Sequence, residues 1–338
     1  VTLLVMGGLL IAGLSLDRIS DGAGVVAGFQ KLYATHPGHF QMILTPDNPF
    51  YKDLPGLSVL LGGMWIMNIS YWGFNQYIIQ RALAAKDLQE AQKGMVFAAF
   101  LKLLMPVIVV LPGIAALMLV TDIEKPDQAY PKMMALLPTG VLGLVFAALI
   151  AAIVASLASK INSVSTIFTL DFYNKRSRRA DATPHDETHL VKVGRIAATV
   201  AIVLAVLTAK PLLGSFDQGF QYIQEYTGFF TPGIVVIFVL GLFWKRANEA
   251  GAIAAAVGSF ALSIALKLAW PELPFMDRVG LVFLLALALA VVVSLTLRAS
   301  SDPNRIRTDD VSYATTSTFN AGAVGVIGIL IALYAAFW

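Results

Sequence analysis

The sequence predicts an all-α, polytopic membrane protein with about nine transmembrane segments. Two observations predict it. Of its 338 residues, 57% are hydrophobic and only 13% charged, whereas a soluble domain carries about 25% charged residues. The apolar residues also run in long blocks, such as GMVFAAFLKLLMPVIVVLPGIAALMLV and DRVGLVFLLALALAVVVSLTL. Each block reaches the ~20 residues that cross the hydrocarbon core as a helix. Lipid offers backbone groups no hydrogen-bond partners, so such spans are helical.

Nine segments follow in order: 1–16, 57–80, 94–120, 138–173, 190–209, 217–243, 250–270, 278–298 and 320–338. The first, VTLLVMGGLLIAGLSL, has no starting Met and no charged leader region; it is expected to be the end of a span that begins upstream. The loop at 17–56 carries the turn signals HPGH and TPDNPF and is expected to hold a short helix from Val25 to Thr35. Segment 138–173 is longer than a span and is expected to run on into the cytoplasm before NKRSRR.

Loop charge sets the orientation. The loops at 81–93, 174–195, 245–249 and 298–310 hold 3, 6, 2 and 3 Lys and Arg, against 3, 2, 1 and 1 in those at 17–56, 121–132, 210–216 and 271–278. The first set is expected to be cytoplasmic. Three lysines, Lys102, Lys160 and Lys267, fall inside apolar segments. Lys160, near the inner end of its segment, is expected to snorkel.

Several function classes drop out. The chain has no cysteine, which excludes disulfides and thiolate metal sites. A net charge of +3, spread over short loops, calls for no nucleic-acid partner. The four histidines, His36, His39, His185 and His189, all lie in predicted loops and form no convincing metal motif. Nucleophile elbow, phosphate-binding loop and deep carboxylate pair are all missing, so an enzyme has no support.

What calls for explanation is the polarity at depth. In NISYWGFNQY (68–77), Asn68, Tyr71, Trp72 and Asn75 fall at i, i+3, i+4 and i+7, one face of an α-helix. Amides beside aromatic rings suit a sugar, whose hydroxyls bond the amide while its C–H face stacks on the ring. The same residues also suit helix–helix hydrogen bonding, and composition leaves both readings open. Lys102 lies roughly 12 Å in from the predicted cytoplasmic boundary. At that depth it is a functional candidate, with snorkelling as the alternative. Ala152, Ala155, Ser156, Ser159 and Ser163 make a stripe of small residues. Such a stripe serves close packing, or else lets carbonyls and hydroxyls converge on a hard cation such as Na⁺. In FDQGFQYIQEYTGFFTPG, Phe220, Gln224 and Gly228 share a face, and Gly228, Pro232 and Gly233 interrupt the helix, as helices lining transporter sites often are.

Three stretches, YWGFNQYIIQRALAAKDLQEAQKGMVFAAFLKL, AAIVASLASKINSVSTIFTLDFY and FQYIQEYTGFFTPG, closely resemble the solute:sodium symporter family, which includes the sodium/glucose cotransporters. The resemblance runs through almost the whole chain. It implies a LeuT-type fold of two inverted five-helix repeats with sites near the midplane. Residues 1–243 then correspond to core helices five to ten and residues 244–338 to three peripheral helices. It implies sodium-coupled symport of a galactose- or glucose-like sugar by alternating access, with Na⁺ as coupling ion and the lipid bilayer as surroundings, in a bacterial cytoplasmic membrane. By the same resemblance, Asn68, Lys102 and Gln224 hydrogen-bond the sugar. Tyr71 stacks on it as the inner gate, Trp72 lines the inward path, and Phe220 belongs to the outer lid. The cation positions are Ala152, Ala155 and Ser156. At Ala155 the sequence departs from the pattern, which has a hydroxyl there. Core helices one and two, which complete the site in the family, have no counterpart, so the chain alone is expected not to transport. The same fold carrying an inositol, an amino acid or a carboxylate, and a solute-sensing membrane module, are the alternative readings.

Overall fold

The computed structural model describes residues 1–53, 55–176, 186–213, 219–297 and 311–338. Among the described residues all regular structure is helical. In chain order the α-helices are α1 (Thr2–Ile19), α2 (Val25–Thr35), α3 (Leu57–Leu61), α4 (Gly63–Ile69), α5 (Gln76–Leu83), α6 (Leu88–Leu103), α7 (Leu111–Leu119), α8 (Ala129–Met134) and α9 (Thr139–Thr166). They continue with α10 (Glu187–Leu213), α11 (Gly219–Thr227), α12 (Thr231–Phe243), α13 (Glu249–Ala269), α14 (Phe275–Thr296) and α15 (Ser317–Ala336). Wider π-helical turns occupy Ser70–Phe74, Pro106–Val110 and Ile167–Asn174.

Seven of these helical stretches are long and apolar enough to cross a membrane, and the bent pair α11–α12 makes an eighth. The chain is thus a multi-pass membrane protein. The count differs from nine because predicted span 57–80 is not one helix. It is divided among α3, α4, the Ser70–Phe74 turn and α5. The helix predicted from Val25 to Thr35 is α2. At Pro106 the ring leaves no N–H to continue the α-ladder, and a π turn absorbs the defect before α7 resumes.

The helices gather into two compact units, residues 1–39 with 101–219, and residues 40–100 with 220–338. In the first unit, α1 meets α2, α7 and α9 through Ile11, Ala12, Leu16 and Ile19, all buried. Leu32 of α2 is buried as well. Ser165 donates to the Gly194 carbonyl at 2.9 Å, joining α9 to α10. Lys132 of α8 bonds Asp122 in the preceding loop at 2.9 Å and holds its carboxyl below the usual carboxylate range.

The second unit is built on α13 and α14. Gly251, Ala255, Ser259 and Ser263 recur every fourth residue along α13, and all are buried. Val282, Ala286, Ala290 and Ser294 do the same on α14. Small residues at this spacing let helices approach closely, and in lipid the gain is van der Waals contact rather than expulsion of water. Asn248 ties the ends together. Its side-chain oxygen caps α13 at Gly251 N (2.9 Å), and its amide donates to the carbonyls of Ser294 (3.1 Å) and Leu297 (2.7 Å). Two core clusters extend the pair: Val236 of α12 with Ala255, Ala286 and Ala290, and Ile66 of α4 with Val235 and Val279. At Gly63 the approach of α4 to α14 is closest, since an added Cβ would lie 2.0 Å from the Met276 carbonyl oxygen. α15 packs on α6, where Gln92 bonds Ala314 O (3.1 Å) and Thr316 N (3.0 Å).

Candidate functional site

Helix α4 is gripped on its Ile66 side by α12 and α14. Asn68 is two residues on, roughly 200° around the helix, so it faces away from that core and is exposed. Its Nδ2 donates to Met64 O at 2.9 Å. One amide hydrogen is used on its own helix, and the amide oxygen and second hydrogen keep capacity for a solute.

From Ser70 to Phe74 the helix widens into the π turn, and none of these five residues is buried. At Asn75 the backbone becomes extended, with φ −88° and ψ 113°. The predicted face of Asn68, Tyr71, Trp72 and Asn75 is therefore not a single α-helical face. A π turn holds more than 3.6 residues, and the chain leaves the helix before Asn75 completes the series. The structure instead groups three aromatic residues. Trp72 lies edge-on to Tyr71 at 5.4 Å between ring centroids, and Tyr77 does so at 6.0 Å. The Tyr77 hydroxyl donates to the Tyr71 hydroxyl at 2.8 Å. Phe74 stacks on Phe238 of α12 at 4.5 Å, which anchors the lower end of the turn.

Gln224 and Phe220 share α11, four residues apart and so on one face. Gln224 is half-buried and Phe220 is 75% exposed. Past Thr227 the axis bends by 44° into α12. Ser259 of α13 secures the bend, because its hydroxyl donates to Phe229 O at 3.0 Å and accepts from Gly233 N at 3.0 Å. Thr231 Oγ1 adds a bond to Thr227 O at 2.8 Å. An added Cβ at Gly233 would lie 2.7 Å from Ala255 O, so the sequence needs glycine there for α12 to reach α13.

The other four predicted residues belong to the first unit. Lys102 is exposed near the end of α6. On α9, Ala152 is half-buried, whereas Ala155 and Ser156 are exposed. The stripe of small residues is therefore divided. Ser163 is buried at 7% exposure and serves packing, while Ala155 and Ser156 are not used to pack α9 against a neighbour. Ser159 Oγ donates to Ala155 O at 3.1 Å. Tyr173 and His189 share a bond of 2.9 Å, and His185 lies outside the described residues.

One polar cluster escaped the sequence reading. Glu225, Lys267 and Arg278 meet in the second unit, with 2.8 Å from the carboxylate to each cation. The signal was present, since all three are charges at the ends of apolar segments. Their pairing across 53 positions has no local pattern to betray it.

The family model for the sodium:solute symporter family matches residues 1–258. The sodium/glucose cotransporter of Vibrio parahaemolyticus is 46% identical over 99% of this chain and 64% of its own length. Sodium/myo-inositol cotransporter 2 of Oryctolagus cuniculus is 40% identical over 61% of the chain and 32% of its own length. The sodium/mannose cotransporter of Bos taurus is 37% identical over 61% of the chain and 36% of its own length. The chain thus spans less than two thirds of each of these relatives.

Proposed function

The chain belongs to the sodium:solute symporter family, and from that premise we propose that the protein carrying it couples uptake of a sugar to the entry of Na⁺ across a bacterial cytoplasmic membrane. In this reading residues 1–243 form the transporter core, in a LeuT-type arrangement, and residues 244–338 form helices around it. The observation that carries the sugar is the exposed amide of Asn68 beside the Tyr71, Trp72 and Tyr77 rings on an interrupted helix. An amide supplies both a donor and an acceptor for hydroxyls, and a tyrosine ring covers the apolar face of a pyranose. Broken helices also leave backbone groups open to a solute.

The roles follow. Asn68, Lys102 and Gln224 hydrogen-bond the sugar. Tyr71 stacks on it, and its ring must swing aside for release inward past Trp72. Phe220 closes the outer side. Na⁺ takes oxygen from the Ala152 carbonyl and the Ser156 hydroxyl, both on α9. Ala155 brings none, so this chain supplies one side-chain ligand there. One positive charge crossing 100 mV yields about 2.3 kcal/mol, which is the drive for accumulation. The name of the Oryctolagus relative favours myo-inositol as the second candidate solute. A polyol presents the same hydroxyl chemistry to Asn68 and Gln224.

The test is uptake of labelled galactose into proteoliposomes. It uses the protein, and in parallel a chimera in which this chain replaces its aligned part of the Vibrio cotransporter. Uptake that needs an inward Na⁺ gradient and is not displaced by excess myo-inositol supports the sugar reading. Displacement by myo-inositol with no galactose accumulation replaces galactose with the cyclitol. Gradient-independent accumulation rejects sodium coupling. Ala155→Ser is expected to lower the Na⁺ concentration for half-maximal uptake, and an unchanged Na⁺ titration would take Ala155 out of the cation site.

A further inference from the structure

Helix α11 has nine residues, none of them buried, yet it bears both Phe220 and Gln224. A helix this short is not stable by itself, so outside contacts must hold its direction. The strongest lie at residue 225. Glu225 Oε1 accepts from Lys267 Nζ at 2.8 Å and from Arg278 Nη2 at 2.8 Å. Lys267 comes from the end of α13, and Arg278 from the first turn of α14.

The three charges are not equivalent. Arg278 is 5% exposed. A guanidinium removed from water needs a paired and hydrogen-bonded partner, and Glu225 supplies it. The Lys267 side chain keeps 41% of its exposure. Its stem is long enough to reach an interface, yet the ammonium turns toward Glu225. The aromatic rings around the bend repeat the arrangement. Phe229, just past α11, has Lys267 Nζ 5.7 Å and Arg278 Cζ 5.6 Å from its centroid, and Tyr226 has Lys267 Nζ at 5.5 Å. Such distances fall within cation–π range. At the other end, the Gln221 side chain donates to the Asp53 carboxylate. α11 is thus pinned near both ends, and the bend beyond it is bonded by Ser259.

We propose that Glu225, gripped by Lys267 and Arg278, is the positioning residue that sets the rotation of α11 and so aims Gln224 at the solute. Consecutive helix residues point about 100° apart, so a clamp on 225 dictates where 224 faces. α13 and α14, which the family resemblance makes peripheral, then take part in solute recognition through one carboxylate. The inference rests on the reading of Gln224 as a solute ligand. The charge count makes it graded. Removing Lys267 leaves the pair of half-buried Glu225 and buried Arg278 intact, whereas neutralising Glu225 leaves both cations without their carboxylate.

The test follows two readouts on the full protein in liposomes: hydrogen exchange of the 219–227 amides, and KM and kcat for galactose uptake. Glu225→Gln is expected to speed exchange in α11 and raise KM about tenfold, equal to about 1.4 kcal/mol, with kcat within about twofold of wild type. Lys267→Met should raise KM by about threefold at most, in keeping with a half-exposed ion pair. Glu225→Asp should recover part of the loss. Because Lys267→Met leaves the Glu225–Arg278 pair in place and Glu225→Asp keeps a carboxylate beside Arg278, they report even if Glu225→Gln fails to fold. Wild-type exchange and wild-type KM in Glu225→Gln, or in both milder variants if it does not fold, overturn the proposal. A wild-type protein that takes up no galactose rejects the sugar reading instead. Exchange in 219–227 then still decides the clamp: acceleration supports it, and no change overturns it.

Discussion

The second unit contains two interrupted helices, and the hydrogen bonds at the two breaks come from opposite sources. Where α11 turns into α12, the bonds come from a neighbouring helix: buried Ser259 takes both Phe229 O and Gly233 N. Between α4 and α5, the bonds of Asn68 and Tyr71 run to residues four and six positions away, Met64 and Tyr77. No residue of the Ser70–Phe74 turn is buried. A break bonded from outside is a fixed bend. A break that satisfies itself can rearrange without leaving a buried polar group behind. The first suits the proposed role of α11 in aiming Gln224, and the second suits the proposed gate at Tyr71.

The contrast can be broken experimentally, and the largest effect belongs to the fixed bend. Gly233→Ala would place a Cβ 2.7 Å from Ala255 O and 2.8 Å from the Ser259 Cβ. It should cost about 3 kcal/mol, the upper end for overpacking, and lower the melting temperature of the purified protein clearly. An unshifted melt would show that α12 is not seated against α13. Next comes Ser259→Ala, which leaves Phe229 O and Gly233 N buried without their shared partner. We expect a loss of about 1–2 kcal/mol, read in the same melt, together with faster hydrogen exchange at Gly233.

The self-satisfied break should answer weakly. Tyr77→Phe removes the bond to the Tyr71 hydroxyl at a cost of about 0.5 kcal/mol, the low end for a hydrogen bond, because both rings keep access to solvent. In the proposed transport cycle its mark should appear in the solute efflux rate rather than in the melt. A large melting shift would contradict the idea that the hydrogen bond between Tyr77 and Tyr71 contributes little to stability. The smallest effect is expected for Gly73→Ala. Nothing lies within 4 Å of the added Cβ, so the change should stay within about 0.5 kcal/mol. Together, Gly233→Ala and Gly73→Ala are the same substitution at the two breaks, and equal outcomes would erase the distinction.

Much of this molecule was legible from residue order. Blocks of apolar residues the length of a bilayer locate most of the spans, because hydrocarbon leaves the backbone no alternative to helix. The short α2 could be read from the turn signals around it. The departure at Ala155 could be seen without coordinates, because a methyl group cannot supply a ligand oxygen wherever it lies. Asn68, Tyr71 and Gln224 could be singled out because polarity inside an apolar run is costly and therefore calls for a reason.

What remained for the tertiary structure was everything that depends on a neighbour distant in sequence. The span expected at 57–80 is divided among α3, α4, a π turn and α5, and periodicity assumes 3.6 residues per turn throughout, so it placed Asn75 on a face that the backbone leaves. The stripe on α9 looked uniform, yet Ser163 is packed and Ser156 is open. The clamp on Glu225 joins residues 42 and 53 positions away, and charge pairing over that span leaves no periodic trace. Sequence alone determined which segments must be helices in lipid and which side chains are too polar to be there without purpose. Only packing decided which helix breaks are locked, which small residues stay open, and which buried charge meets which, because those outcomes depend on distances that chain order does not contain.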